Sequence, residues 1–360
     1  MKQSEASQET NLTGISIVIC CHNSASRVAE TLRCLAEQKV PKGLPWEVVI
    51  VDNGSTDDTV KVARASWPHS PPAPMRIVSE PKLGQSNARI RGLDSASYEL
   101  VSFVDDDNRV ACNWLDRVSS RMASDPAIGA CGASITADFE EAPPAWWEEF
   151  AGCFAVGRQW PNEGDVTNTK GWLYGAGLTI RKSAWNQLRA DGFRLYTSGR
   201  HGKALRAGDD NELCFALRRA GWKLWLDWSM EIRHFMPRGR ITWSYVRRLY
   251  RGAGGTSLTL CCYDAKPPAG ARDELRTHWW WQVLAVLRQL LTHPSDYWAY
   301  AFSRVEGDYA VLRTEGRLGQ LSELLRLRGG YRKMLIEIRD ARWRRPAPRA
   351  ARMDPVPAPH

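Results

Sequence analysis

Along the first hundred residues, short apolar runs of strand length alternate with segments whose apolar positions recur at helical spacing. Residues 15–20 (Ile-Ser-Ile-Val-Ile-Cys) predict a buried strand. Val28, Leu32 and Leu35 then give residues 25–38 one apolar helical face. Pro41, Gly43 and Pro45 break the chain before a second strand at 47–51, which ends in the turn-forming cluster Asp52-Asn-Gly-Ser-Thr-Asp-Asp58. A helix to Ala65, a third short strand at 75–78 and a loop-to-helix segment at 82–92 follow. The apolar run 100–104 comes next and stops at three consecutive carboxylates, Asp105, Asp106 and Asp107. Strands alternating with helices in this way predict an α/β protein with a Rossmann-like, mostly parallel, doubly wound sheet.

In a parallel sheet the strand ends lie along one edge, where such sheets bind ligands. Asn23, Asp52 and the Asp105–Asp107 triplet would therefore line one crevice. Asp105 and Asp107 fall on the same side of an extended chain and could share a hard divalent cation, whose shell a nucleoside diphosphate would complete. A solvated acidic turn is the plain alternative. Asp52 could accept from the N–H groups of a base, or simply cap the helix after it. Arg89 and Arg91 could pair with phosphates, or be ordinary surface arginines.

Four segments in fixed order carry a resemblance: Ile-Val-Ile-Cys-Cys-His-Asn, Val-Asp-Asn-Gly-Ser-Thr-Asp-Asp-Thr, Gly-Gln-Ser-Asn-Ala-Arg-Ile-Arg-Gly and Phe-Val-Asp-Asp-Asp. Together they resemble glycosyltransferase family 2, over roughly residues 15–257. The resemblance implies the GT-A fold, a nucleotide-sugar donor (UDP-sugar foremost), a Mn2+ or Mg2+ cofactor and inverting transfer. It implies donor binding by Asn23, Asp52, Gly84, Asn87, Arg91, Asp105, Asp106 and Arg240, and metal binding by Asp105, Asp107 and His234. Asp210, second acid of the Gly208-Asp-Asp210 segment, would be the general base, with Asp209 positioning the acceptor or its loop. Cys20-Cys21-His22-Asn23 departs from the family's more usual Pro-x-Tyr-Asn, so His22 stands where an aromatic would stack on the base.

The second half of the catalytic unit should hold the acceptor. Trp146, Trp147, Trp160 and Trp172 lie in an irregular stretch suited either to sugar stacking or to plugging a long loop. Tyr174-Gly-Ala-Gly-Leu-Thr-Ile180 resembles the family's Gly-rich strand facing the donor sugar. Residues 222–226 and 232–235 predict two short strands. Arg238, Arg240 and Arg247 could neutralise the diphosphate, with Gly252, Gly254 and Gly255 permitting a closing movement.

From residue 272 the pattern turns helical, with Trp279-Trp-Trp281 opening a broad apolar face. That face predicts either packing on the catalytic domain or a second subunit (a homo-oligomer), or peripheral contact with a membrane near a lipid-linked acceptor. The second is preferred. Nucleic acid is not expected, because no recognisable binding module is present. The expected organisation is a disordered 1–14, a catalytic domain at 15–260, a helical C-terminal extension at 261–345 and a disordered tail at 346–360. Of the net charge of +9, +7 comes from residue 317 onward, where eleven Lys/Arg meet four Asp/Glu.

A hydrophobic fraction of 43% and a charged fraction of 25% describe a globular chain. With no apolar leader, no membrane-spanning run and nine cysteines lacking C-x-x-C spacing, the sequence predicts a cytoplasmic protein with reduced thiols, peripheral on the inner face of the plasma membrane. The function expected is sugar transfer to a saccharide or lipid-linked acceptor in cell-surface polysaccharide or glycolipid synthesis. A non-catalytic sugar-binding scaffold and a sugar-phosphate nucleotidyltransferase are the alternatives.

Overall fold

The computed structural model describes residues 12–197, 199, 205 and 208–344. Nine strands form one sheet: β1 (Leu12–Cys21), β2 (Trp46–Asp52), β3 (Met75–Ser79), β4 (Tyr98–Phe103), β5 (Asn108–Val110), β6 (Ile128–Phe139), β7 (Gly164–Asp165), β8 (Thr179–Arg181) and β9 (Lys223–Met236). Their order is β3-β2-β1-β4-β8-β6-β9-β5, with β7 on β9. The first four strands are parallel, as their unbroken apolar runs predict. Beyond β4 the sheet is mixed, since β8 runs antiparallel to both β4 and β6, while β6 and β9 are parallel.

Thirteen α-helices are described: α1 (Val28–Ala36), α2 (Thr59–Ser66), α3 (Gln85–Ser95), α4 (Trp114–Ser124), α5 (Trp147–Phe150), α6 (Lys182–Ala190), α7 (Asp209–Arg219), α8 (Trp243–Cys262), α9 (Ala271–Arg276), α10 (Trp279–Thr292), α11 (Pro294–Phe302), α12 (Tyr309–Leu327) and α13 (Tyr331–Arg339). The first buries Val28, Leu32 and Leu35, the predicted face, but starts three residues late. The backbone turns at Ser24, whose carbonyl accepts from both Arg27 and Val28 N–H.

Register does the positioning. Cys21 pairs with Asp52, Asp52 with Ser79, and Val18 with Phe103. The first three strands therefore stop at one level, and the acidic triplet begins beside the end of β1.

Three expectations change. The two short strands at 222–226 and 232–235 are one 14-residue strand, β9. Its register against β6 jumps from Ala133↔Asp227 to Ser134↔Glu231, extruding residues 228–230 as a bulge. The Asp227 carboxylate, accepting from Ser229 N–H and hydroxyl, closes that bulge. The glycines at 252, 254 and 255 lie inside α8 rather than in a loop. A Cβ on Gly254 would run into the Gly316 backbone, and one on Gly319 into the Arg251 carbonyl. These glycines let α8 and α12 approach backbone to backbone, so they serve packing and not a hinge. Finally, residues 12–14 belong to β1, although 1–14 is expected to be disordered. The remainder of that segment and residues 346–360 lie outside the described residues.

The C-terminal helices share one buried cluster with the sheet. Leu258, Tyr263, Val286, Leu324, Leu335 and Trp343 are continuous with Val18, Phe103 and Leu213. Among the described residues no helix is long and apolar enough to cross a membrane.

Candidate active site

The acidic triplet forms a tight turn after β4. Asn108 N–H donates to the Asp105 carbonyl (3.0 Å), and Asp105 N–H donates to Asn108 Oδ1 (3.1 Å). The three carboxylates consequently take different directions. Asp106 meets Arg27 from the loop before α1 at 2.7 Å. Burial, reinforced by the neighbouring Asp107 charge, raises the Asp106 pKa. Asp107 offers Oδ2 to Arg240 (2.7 Å) and Oδ1 to His234 Nε2 (3.3 Å). The pairing of β5 with β9 causes this meeting, because Asn108 is the Cα partner of His234. A 126-residue separation is closed by a three-residue strand.

The opposite wall is the first turn of α7. Gly208 precedes it at φ 123°, a backbone setting that favours glycine. Asp209 turns inward to Arg89 of α3, with Nη1 to Oδ2 at 3.1 Å and both side chains buried. Burial pulls the Arg89 pKa down, but Asp209, Asp210 and Asp105 outweigh it, so the guanidinium stays charged. Asp210 accepts from Gly175 N–H at Oδ2 (2.7 Å) and from Asn211 N–H at Oδ1 (2.9 Å). Burial raises its pKa; Arg89 opposes that rise and Asp209 adds to it. Gly175 has no substitute here, since a Cβ would strike the Arg89 guanidinium and sit 2.8 Å from Asp210 Oδ2.

Between these walls lies a cavity of about 310 Å³, lined by Asp105, Asp106, Asp107, His234 and Arg240 on one side and Arg89, Asp209 and Asp210 on the other. Trp172 and Tyr174 form an aromatic shelf in it, their rings edge to face at 5.6 Å. Lys170 Nζ sits 3.9 Å over the Trp172 ring and donates to the Gln159 carbonyl. Burial lowers the Lys170 pKa to about 8. Cys20 also lines the cavity, with its thiol pushed up to about 12 by burial, and is therefore neutral.

Of the residues singled out from sequence, Asn23, Asp52, Gly84, Asn87 and Arg91 do not line this cavity. Asn23 adopts φ 52°, and its Oδ1 accepts from Thr56 N–H. Asp52 accepts from Ser55 N–H (3.1 Å), Gly84 N–H donates to Asn53, and the Asn87 amide donates to the Leu83 carbonyl. Arg91 is exposed; Arg89, two residues earlier on the helix, is the arginine that enters. His22 Nδ1 lies 2.8 Å from the Asn53 carbonyl.

Trp146 and Trp147 are buried with Phe150, Phe154 and Trp243, so they plug the loop and are not free to stack on a sugar. Trp160 lies on the surface, and Trp172 alone of the four lines the cavity. Arg238 pairs with Glu141 and Arg247 with Glu315, so neither points a free guanidinium at a diphosphate. Arg27 and Lys170 do not stand out in the sequence, whereas Gly175 falls in the Gly-rich segment 174–180. The signals of Arg27 and Lys170 are weak, because each works through a neighbour fixed only by folding, Asp106 and Trp172 respectively.

Among the described residues no group of three or more His, Cys, Asp or Glu side chains stands in a geometry that could hold a metal ion, so Asp105, Asp107 and His234 are not gathered into the expected ligand set as they stand. Hard oxygens from Asp105 and Asp107 with the His234 imidazole are nonetheless a donor set that suits Mn2+ or Mg2+. Five carboxylates here meet three guanidiniums, those of Arg27, Arg89 and Arg240, leaving an excess of two negative charges. A divalent cation that takes part of its shell from a diphosphate fits that arrangement.

Residues 16–185, a little under half of the chain, match Glycosyl transferase family 2. The fold is the GT-A fold. The mannosyltransferase PcManGT of Pyrobaculum calidifontis, solved with GDP-Man and Mn2+, superposes with a TM-score of 0.52 at 18% identity, covering 92% of this chain and 87% of that one. Among curated relatives, the glycosyltransferase AglE of Haloferax volcanii is 31% identical over 114 residues, 32% of this chain and 37% of AglE. The succinoglycan biosynthesis protein ExoM of Rhizobium meliloti is 28% identical over 132 residues, 37% of this chain and 42% of ExoM. The matches thus span less than half the length of these relatives. They favour neither the scaffold nor the nucleotidyltransferase alternative.

Proposed function

We propose that the protein transfers a sugar, with inversion, from a nucleoside-diphosphate sugar to a saccharide or lipid-linked acceptor in cell-surface polysaccharide or glycolipid synthesis. One juxtaposition carries the proposal: the Asp105–Asp107 turn with His234 and Arg240 faces the Asp210 carboxylate across a single cavity. The departing diphosphate and the acceptor hydroxyl, deprotonated by the base, would thus lie on opposite sides of the donor's anomeric carbon, as inversion requires.

Asp210 takes the proton of the acceptor hydroxyl. Its raised pKa makes it a better base than an ordinary carboxylate, and the Gly175 N–H fixes the orientation of its Oδ2. Asp209 binds Arg89 and so holds the first turn of α7 in place. Asp105, Asp107 and His234 would hold the Mn2+ or Mg2+, which supplies charge stabilisation to the departing diphosphate. Arg240, paired with Asp107, is placed to exchange that partner for a phosphate oxygen. Trp172 and Tyr174 offer apolar ring faces to the acceptor, with Lys170 supporting Trp172. Asn23, Asp52, Gly84, Asn87 and Arg91 belong to the nucleoside end of this reading, along the strand edge outside the main cavity. We place a UDP-sugar first among donors; the GDP-Man bound to PcManGT makes a GDP-sugar the second choice. The enzyme would act in the cytoplasm at the inner face of the plasma membrane.

A thermal-shift panel of UDP, GDP, CDP and dTDP, each with Mn2+, Mg2+ or EDTA, tests the donor. One nucleotide raising Tm only with metal is the expected result; no shift with any of them sinks the reading. Asp210→Asn should keep that shift while turnover falls by about 10²–10⁴-fold.

A further inference from the structure

Helices α10 and α11 leave an apolar face uncovered. On α10, Trp280, Leu284, Leu287 and Leu291 are exposed at i, i+4, i+7 and i+11, which is one continuous stripe. Leu291 is 81% exposed. The opposite side of the same helix turns Ala285 and Val286 to a cavity between α8, α10, α12 and α13. The stripe is therefore a second face and not a misplaced core. On α11, Tyr297, Trp298 and Phe302 are 61%, 62% and 69% exposed, and Trp298 stacks on Phe302 with ring centroids 5.1 Å apart. Val305 extends the patch.

Charge selects the partner. The only charged residue of α10 is Arg288, which is exposed, and Arg304 stands exposed beyond α11. Asp296, the one carboxylate on the two helices, is buried and held by Arg313 and Arg317. The next carboxylate, Glu306, accepts from the Trp146 indole N–H. Bare apolar and aromatic side chains fringed by arginine, with no outward acid on either helix, match an anionic lipid surface. Trp and Tyr are the residues that settle at such an interface. A second copy matches less well, because each chain carries a net charge of +9 and would bring the same basic fringe.

We propose that α10 and α11 form a docking face that lies in the surface of an anionic bilayer. This deepens the lipid-linked-acceptor branch of the functional reading. The cavity behind α10 and the catalytic cavity are both lined by Ser257 of α8. One helix thus separates the membrane-facing layer from the site.

The test is flotation of the full chain with phosphatidylcholine vesicles, with and without phosphatidylglycerol. Wild type should float with the anionic vesicles and less with the neutral ones. Leu291→Ser/Phe302→Ser should weaken partition at least about tenfold, and Arg288→Glu/Arg304→Glu should abolish the preference for anionic lipid. All four positions are exposed, so an unchanged Tm will confirm folding. Wild type that stays at the bottom of the gradient overturns the proposal, as do variants that float like wild type. So does a concentration-dependent dimer that Leu291→Ser/Phe302→Ser dissolves, which would give the face to a second copy. Nucleotide binding is read without vesicles, so a catalytic reading that fails leaves the flotation result standing, and the reverse holds.

Discussion

Arg89 and Asp209, 120 residues apart in sequence, meet at 3.1 Å with both side chains buried, and this ion pair ties α3 to the N-terminus of α7 beside the cavity. Arg89→Ala leaves the Asp209 charge buried and uncompensated. Urea unfolding should show a loss of about 3–5 kcal/mol. Removing both charges in Arg89→Ala/Asp209→Ala should cost less than the single change. A double variant as unstable as the sum of its parts would mean that the pair is not coupled.

The proposed role of Asp210 as base sets the pH dependence of transfer. Only the ionised carboxylate can accept a proton, and burial raises its pKa above the usual carboxylate value. kcat/KM should therefore be full above that raised pKa and fall as pH drops through it, at a higher pH than an exposed Asp would give. Asp210→Asn should remove this acid limb along with most of the rate. A limb near the ordinary value of about 4 would assign the titration to another group.

Gly175→Ala tests the fit of the base. The added Cβ must displace Arg89 or Asp210. Turnover should drop by about 10²-fold with smaller change in nucleotide affinity, as measured by kcat and by nucleotide titration.

The tryptophans separate by role. Trp147→Ala empties part of the aromatic core and should cost about 3–5 kcal/mol in unfolding experiments. Trp172→Ala, at the cavity, should instead raise the acceptor KM by up to about tenfold with little change in Tm. Reversal of these two effects would return the acceptor site to the 146–147 loop.

Gly254→Val probes the contact of α8 with α12. Its side chain would press on the Gly316 backbone, so Tm should fall, by about 1–3 kcal/mol of stability. Gly239→Ala, with nothing within 4 Å of its new Cβ, is the matched control and should leave Tm in place.

By itself the sequence determined the parallel half of the sheet, because an apolar run bounded by turn residues has only one good burial. It also marked Asp105 and Asp107, in a run of three carboxylates at a strand end, and, through the resemblance of their segments to glycosyltransferase family 2, His234, Asp209 and Asp210. It could not show that Asp107 meets His234 and Arg240, or that Asp209 is consumed by Arg89, since those contacts depend on strand register and helix packing over long separations. Arg89 and Arg91 look alike in the chain; the helix phase, 100° per residue, sends one into the cavity and the other to solvent. Likewise the glycines of α8 read as a hinge until α12 is seen against them, and Trp146 and Trp147 read equally as a sugar platform or a loop plug until their neighbours close over them. Composition and period are local properties and survive in the sequence. Burial and pairing are set by what the rest of the chain brings alongside, and only the tertiary structure decided those.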